Sequence, residues 1–134
     1  LAKDPEFQKK RMRGLHARPN QPETLILVIL QDMFPDEYKY TGGGGFVVDG
    51  LIPDFVNVNG QKKIIEVFGE TYHDPVVAPR QVSYRSTEKG RKDTFARFGY
   101  KTLVIWSKEI YLGGKEGRQA LRNKIKDFHE DSGN

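Results

Sequence analysis

Asp54, Glu66 and His73 are the residues whose types and spacing allow chemistry. They lie in one stretch, Pro53 to His73, which reads PDFVNVNGQKKIIEVFGETYH. Val56, Val58, Ile64, Ile65, Val67 and Phe68 give it strand character, because β-branched and aromatic side chains suit a pleated, half-buried surface. Asn59-Gly60 sits between the two runs, and both residue types tolerate the positive φ of a hairpin turn. A hairpin here brings Asp54 beside the far end of the next strand. A two-residue loop sets Asp54 opposite Ile65, with Val67 on its face. A three-residue loop with a glycine bulge sets it opposite Glu66, since a one-residue slip exchanges faces. A carboxylate held against a second carboxylate (Glu66) or a backbone carbonyl (Val67) binds a hard divalent cation such as magnesium. His73 follows closely, and its near-neutral pKa suits a base. A lone histidine is more often an exposed loop residue; its place just after the hairpin favours the catalytic role.

The surrounding elements must position these groups. Asn20-Gln21-Pro22-Glu23 reads as a helix start, with a polar cap, a proline in the first turn and an acid where the dipole favours it. Glu23 either complements that dipole or edges the site. Leu25 to Leu30 is apolar all round, which predicts a buried helix ending before Pro35. Tyr38 to Gly45 reads as a turn region. Its four glycines lack the lysine and Ser/Thr of a phosphate-binding P-loop. Phe46–Val48 and the turn Asp49-Gly50 predict a three-strand antiparallel meander over 46–48, 51–58 and 62–68. A loop from Phe68 to Pro79, a helix over 82–98 weakened by Gly90, a buried strand over 102–106 and an amphipathic helix over 117–129 follow. A strand after a helix after a meander rejoins the sheet by a right-handed crossover. The expected fold is α/β, a mixed sheet of meander plus crossover strand with helices on both faces.

The chain has 134 residues, the size of one domain, and no cysteine, which excludes disulfides and a thiolate zinc site. Its longest apolar run is too short to span a bilayer, so no membrane partner is expected. It begins at Leu1, which reads as a piece of a longer protein. Of the net charge of +4, residues 1–20 hold six bases against two acids, while the rest is balanced. Residues 1–20 are thus a basic arm or linker, and 21–134 the catalytic domain. Within that domain Arg80, Arg85, Lys89, Arg91 and Lys92 begin a run with few acids. Two basic stretches on a neutral body suit a polyanionic partner as well as a solvated helix face.

A proline-aspartate pair followed on the next strand by an acid resembles the PD-(D/E)xK nuclease signature. The usual lysine is missing, because Phe68 stands two residues after Glu66. A closer resemblance accounts for that gap. Glu23, Pro53-Asp54-Phe55, the F-G-x-x-Y-H run Phe68 to His73 and GYKTLVIW (99–106) together resemble the very-short-patch mismatch repair endonuclease and its relatives, the EDxHD homing endonucleases. The resemblance implies a nuclease fold and metal-dependent cleavage of double-stranded DNA with magnesium, or manganese in its place; the repair enzyme's zinc site has no counterpart, because there is no cysteine. It makes Asp54 the metal-binding aspartate, Glu66 or Val67 the second ligand, His73 the base in place of lysine, and Glu23 the first glutamate. The motif's last acid falls on Glu88, with Asp93 and Asp74 as alternatives. It implies a bacterial or phage-infected cytoplasm, a recognition region upstream of this chain, and a homodimer or sequential nicks for a double-strand break. Two other readings are a mismatch-directed nicking enzyme and an inactive DNA-binding domain on the same fold.

Overall fold

In the computed structural model, residues 18–69 and 83–132 are described. Helix α1 spans Gln21–Met33, strand β1 Tyr38–Tyr40, β2 Phe55–Asn57 and β3 Lys63–Phe68. A 3-10 turn at Tyr84–Ser86 leads into α2, Glu88–Ala96; then come β4, Lys101–Trp106, α3, Ser107–Tyr111, and α4, Gly114–Glu130. The four strands form one mixed sheet in the order β1-β2-β3-β4. β1 and β2 run antiparallel, as do β2 and β3, while β3 and β4 are parallel. The fold is therefore α/β with a crossover through α2.

The meander differs from the expected one. Phe46–Val48 is not in the sheet; Val48 makes only an isolated bridge to Leu51 across the Asp49-Gly50 turn. Both turn residues have positive φ, 49° and 80°, as a tight two-residue turn requires. The outer strand is instead Tyr38–Tyr40, in a segment that read as turn. Three residues are too few to display a period of two convincingly. β2 is also shorter than the predicted 51–58.

Strand alternation sorts the core. Phe55, Ile65 and Ile105 face α1 and α4, meeting Ile26, Leu30, Leu121 and Ile125. Val56 and Ile64 face the other way and meet Phe95 of α2 and Val48. Each such side chain, fully buried, contributes roughly 1.5–3 kcal/mol. α1 is not buried all round, because it packs on one face only: Val28 is 58% exposed and Leu25 37%.

Local chemistry fixes the helix ends. Asn20 and Glu23 form a capping box, each side chain accepting from the other's backbone N–H at 2.9 Å. At the C-terminus of α4, buried Lys63 reaches from β3 and donates to the carbonyls of His129 (2.7 Å) and Asp131 (2.8 Å). A cation there complements the exposed carbonyls and the negative end of the helix. Among the described residues no helix is long and apolar enough to cross a membrane.

Gly90, which weakens α2 on propensity, has a packing reason. A Cβ at this position would lie 2.6 Å from the carbonyl carbon of Tyr84, so the 3-10 turn can close on the helix only over glycine. We expect Gly90→Ala to lose about 1–3 kcal/mol in urea denaturation, although alanine is the better helix former by about 1 kcal/mol. A gain in stability would show that the turn and helix do not approach this closely.

Candidate active site

The site is assembled at the carboxyl end of β3. Thr41, just after β1, clamps the PD segment: its N–H donates to the Asp54 carbonyl at 2.7 Å and its hydroxyl to the Pro53 carbonyl at 2.8 Å. β2 then pairs with β3, Phe55 opposite Ile65 and Val56 opposite Ile64. Continued by one residue, this register sets Asp54 opposite Glu66. It is the longer-loop alternative of the two that the Asn59-Gly60 turn allowed. The loop is closed by Asn57, whose Oδ1 accepts from the N–H groups of Asn59 (2.8 Å) and Gln61 (3.0 Å), a local side-chain turn.

Two reciprocal hydrogen bonds lock the acids. The Asp54 N–H donates to Glu66 Oε2 at 3.0 Å, and the Val67 N–H donates to Asp54 Oδ2 at 2.8 Å. Glu66 is only 1% exposed. Its Oε1 accepts from Arg91 Nε at 2.8 Å and forms an ion pair with the same guanidinium at 2.7 Å. Arg91 also donates to the Ile52 carbonyl at 3.0 Å. Both Glu66 oxygens thus have donors, and one bears a full counter-charge. The arrangement makes Glu66 an anchor between sheet and α2.

Glu23 arrives from the first turn of α1, where the capping box holds it, and is 3% exposed. It lies close enough to hydrogen-bond the Asp54 carboxyl. Asp54 as a whole residue is intermediate in exposure, beside the buried Glu23. Burial pushes the Asp54 carboxyl well above its ordinary value, and the charges of Glu66 and Glu23 push it further. Burial also raises Glu66, but there Arg91 pulls the other way. Of these two, Asp54 is accordingly the carboxyl whose charged form the fold disfavours more.

The remaining candidates are distributed differently. Glu88 opens α2 and accepts from Trp106 Nε1 at 3.0 Å and from Lys92 at 2.9 Å. Burial raises it, but these hydrogen bonds outweigh that and leave it below the ordinary value. Trp106 ends β4 and meets Phe68, at the end of β3, edge to face, so Glu88 is at the same end of the sheet. Asp93 accepts from Tyr84 and Lys89. Arg85 pairs with Asp49, Lys89 with Asp93 and Lys92 with Glu88, all with side chains at least 40% exposed. Arg91, whose side chain is 13% exposed, faces the interior and does not belong with those three. His73, Asp74 and Arg80, and the basic arm up to residue 17, lie outside the described residues.

Sequence reasoning passed over two contributors. Thr41 and Tyr40 were read as turn residues, yet one clamps the PD segment and the other ends β1 opposite Phe55, its hydroxyl donating to the Arg18 carbonyl. The available signal was aromatic alternation in Tyr38-Lys39-Tyr40.

Among the described residues no group of three or more His, Cys, Asp or Glu side chains is arranged to hold a metal ion. Magnesium does not need three, since it keeps several waters and takes one or two carboxylates. Glu23 and Asp54 offer two carboxylates, all-oxygen donors, and fit that requirement. Comparison with protein-family models, with curated proteins and with solved structures found no match.

Two outcomes follow from the charge balance. Arg91→Met leaves Glu66 buried without its cation and should cost about 3–5 kcal/mol in chemical denaturation; a wild-type midpoint would refute the anchor role. Because the Asp54 value is raised in the fold, its contribution to stability is whole below 3.8, the ordinary carboxyl value. That contribution is lost as pH rises through the folded value. Without divalent cation, wild-type stability should therefore fall as pH climbs from about 4, and Asp54→Asn should flatten that slope. Parallel slopes for the two proteins would refute it.

Proposed function

We propose that this chain is a metal-dependent DNA endonuclease, the catalytic domain of a homing-type enzyme on a PD-(D/E)xK-like fold. The observation that carries the reading is the Glu23–Asp54 carboxyl pair, linked to β3 through Val67. Arg91, the cation nearest these acids by hydrogen bonding, is committed to Glu66. The pair is left with a charge that a divalent ion would balance.

In this reading Glu23 and Asp54 hold magnesium, or manganese, with the Val67 carbonyl as a further oxygen donor at the strand end. An ion held there would supply positive charge to offset that of the scissile phosphate and the leaving oxygen. His73 accepts the proton of the attacking water. Thr41 and Glu66 keep Asp54 in place. Glu88, at the same end of the sheet, serves as the last acid of the motif, oriented by Trp106.

Arg85, Lys89 and Lys92, with Arg80, contact the DNA backbone. Their partners in the free protein are exposed acids, and such surface pairs are worth about 0–1 kcal/mol, so phosphates can replace them. Arg91 contributes to stability instead. Cleaving both strands takes two copies of the chain or two sequential nicks, inside a bacterial or phage-infected cell.

A second reading, a catalytically inactive DNA-binding domain, is favoured by the lack of a three-ligand group among the described residues. Plasmid cleavage separates the two. Nicking of supercoiled DNA should require magnesium or manganese and stop with EDTA. Asp54→Ala and His73→Ala should each lower the rate by about a hundredfold or more. Cleavage that persists in EDTA, or full activity in either variant, would overturn the endonuclease reading; binding without cleavage would favour the second.

A further inference from the structure

We infer that the β1–β2 side of the sheet carries a groove for an unstacked nucleotide of single-stranded DNA. This deepens the endonuclease reading by naming a state of its DNA, and rests on that substrate. On the face away from α1, Phe95 of α2 packs over Val56 and Ile64. Further along β2 the same face is open. Val58, two residues on and so on the same side as Val56, is 56% exposed. Lys39, opposite Val56 on β1, is exposed as well. The result is a groove of about 480 Å³ lined by Val56, Val58 and the half-buried rings of Phe46 and Tyr100. Those rings meet edge to face, with centroids 5.8 Å apart. Thr41, which clamps Pro53 and Asp54, lines the groove too, so it adjoins the candidate site. Val58 is four residues from Asp54, about 13 Å along an extended strand.

Charge selects the occupant. The charged residues lining the groove are Lys39 and Lys62, with no acid among the described residues. Lys62 is held in place: its Nζ stands 4.6 Å from the Tyr100 centroid and donates to the Phe98 carbonyl at 2.7 Å. The Lys39 ammonium has no hydrogen bond or ion pair among the described residues. Gln61 also lines the groove, and its Oε1 is buried without a donor among the described residues. Aromatic rings between cations are how a single strand is held, bases on the rings and phosphates on the ammonium groups. A base edge also carries the N–H donors that an amide oxygen accepts. The bases of an intact duplex are stacked on one another and cannot enter, so the occupant is a single strand or a nucleotide pulled from the stack.

The test is fluorescence anisotropy on the whole chain, with a short labelled oligothymidylate and a labelled duplex of equal length, in EDTA so that neither is cut. Lys39→Glu and Tyr100→Leu should each weaken oligothymidylate binding about tenfold, the size of one lost phosphate contact or one lost stacked base. Duplex affinity should stay within about twofold in both. Lys62 is left unchanged, because it also holds the chain beyond α2. Lys115→Glu, exposed on α4, is the control for general charge and should shift neither probe by more than about twofold. If Tyr100→Leu fails to fold, Lys39→Glu alone decides. Wild-type oligothymidylate affinity in the folded variants, or no oligothymidylate binding by the wild-type chain, overturns the groove, and metal-dependent plasmid nicking would then leave the endonuclease reading intact. An equal loss for the duplex also overturns it, since the face would then be a duplex contact. The selective loss in a chain that never nicks plasmid supports the groove and counts against the endonuclease reading alone.

Discussion

The ion pair between Glu66 and Arg91 is the contact on which the rest of the site depends. Glu23 and Glu66 are fully buried and Asp54 partly so, at one end of a four-stranded sheet. Three negative charges there would be prohibitive without compensation, because burial disfavours the charged form and like charges add to the penalty. Arg91 removes one of the three from the balance. It also ties α2 to the central strand and, through the Ile52 carbonyl, to the chain leading into Asp54. With Glu66 neutralised, its second oxygen becomes a fixed acceptor for the Asp54 amide. The remaining two acids are left facing each other with a shared deficit of positive charge. A polar cluster of this kind is stable only when every donor and acceptor is used, and the hydrogen bonds around Asp54 and Glu66 come close to that condition.

The same cluster explains how a short sheet can be specific about register. β2 makes only three residues of strand. Its pairing with β3 is nevertheless fixed at both ends, by the Asn57 side-chain turn on one side and by the Asp54–Glu66–Val67 exchange on the other. A slip of one residue would turn Glu66 from Arg91 toward the apolar face that holds Ile65 and Ile105. Chemistry and folding therefore use the same bonds here.

What could be read from the sequence follows from how local each signal is. The ends of α1 were legible because Asn20, Pro22 and Glu23 act within one helical turn. β3 and β4 were legible because each is rich in β-branched and apolar residues, Ile64, Ile65, Val67 and Phe68 in one and Leu103 to Trp106 in the other. The Asp49-Gly50 turn was equally clear, since both residues adopt positive φ, yet its flanks do not enter the sheet. Strand membership is decided by partners far along the chain, not by the turn. For the same reason Tyr38–Tyr40 was missed, and α1 was expected to be buried all round when Leu25 and Val28 face outward. Arg91 shows the limit for charges. In the sequence it is one base among several with few acids nearby, and only the fold distinguishes it from Lys89 and Lys92. At the site, Asp54 and Glu66 stood out from spacing alone, but the choice between registers needed the loop geometry.

Lys63 has a further meaning for the boundaries of the domain. Its ammonium is buried and held by carbonyls at the end of α4, the last of them Asp131. β3 is thus moored at one end by the last turn of α4 and at the other by α2. A helix that merely covers a sheet can be shortened at its free end at little cost. Here the tail is a plug for a charge on the central strand. Shortening the chain to before His129 would strand that charge inside the protein, so the terminal helix is as much part of the strand's support as the strands beside it.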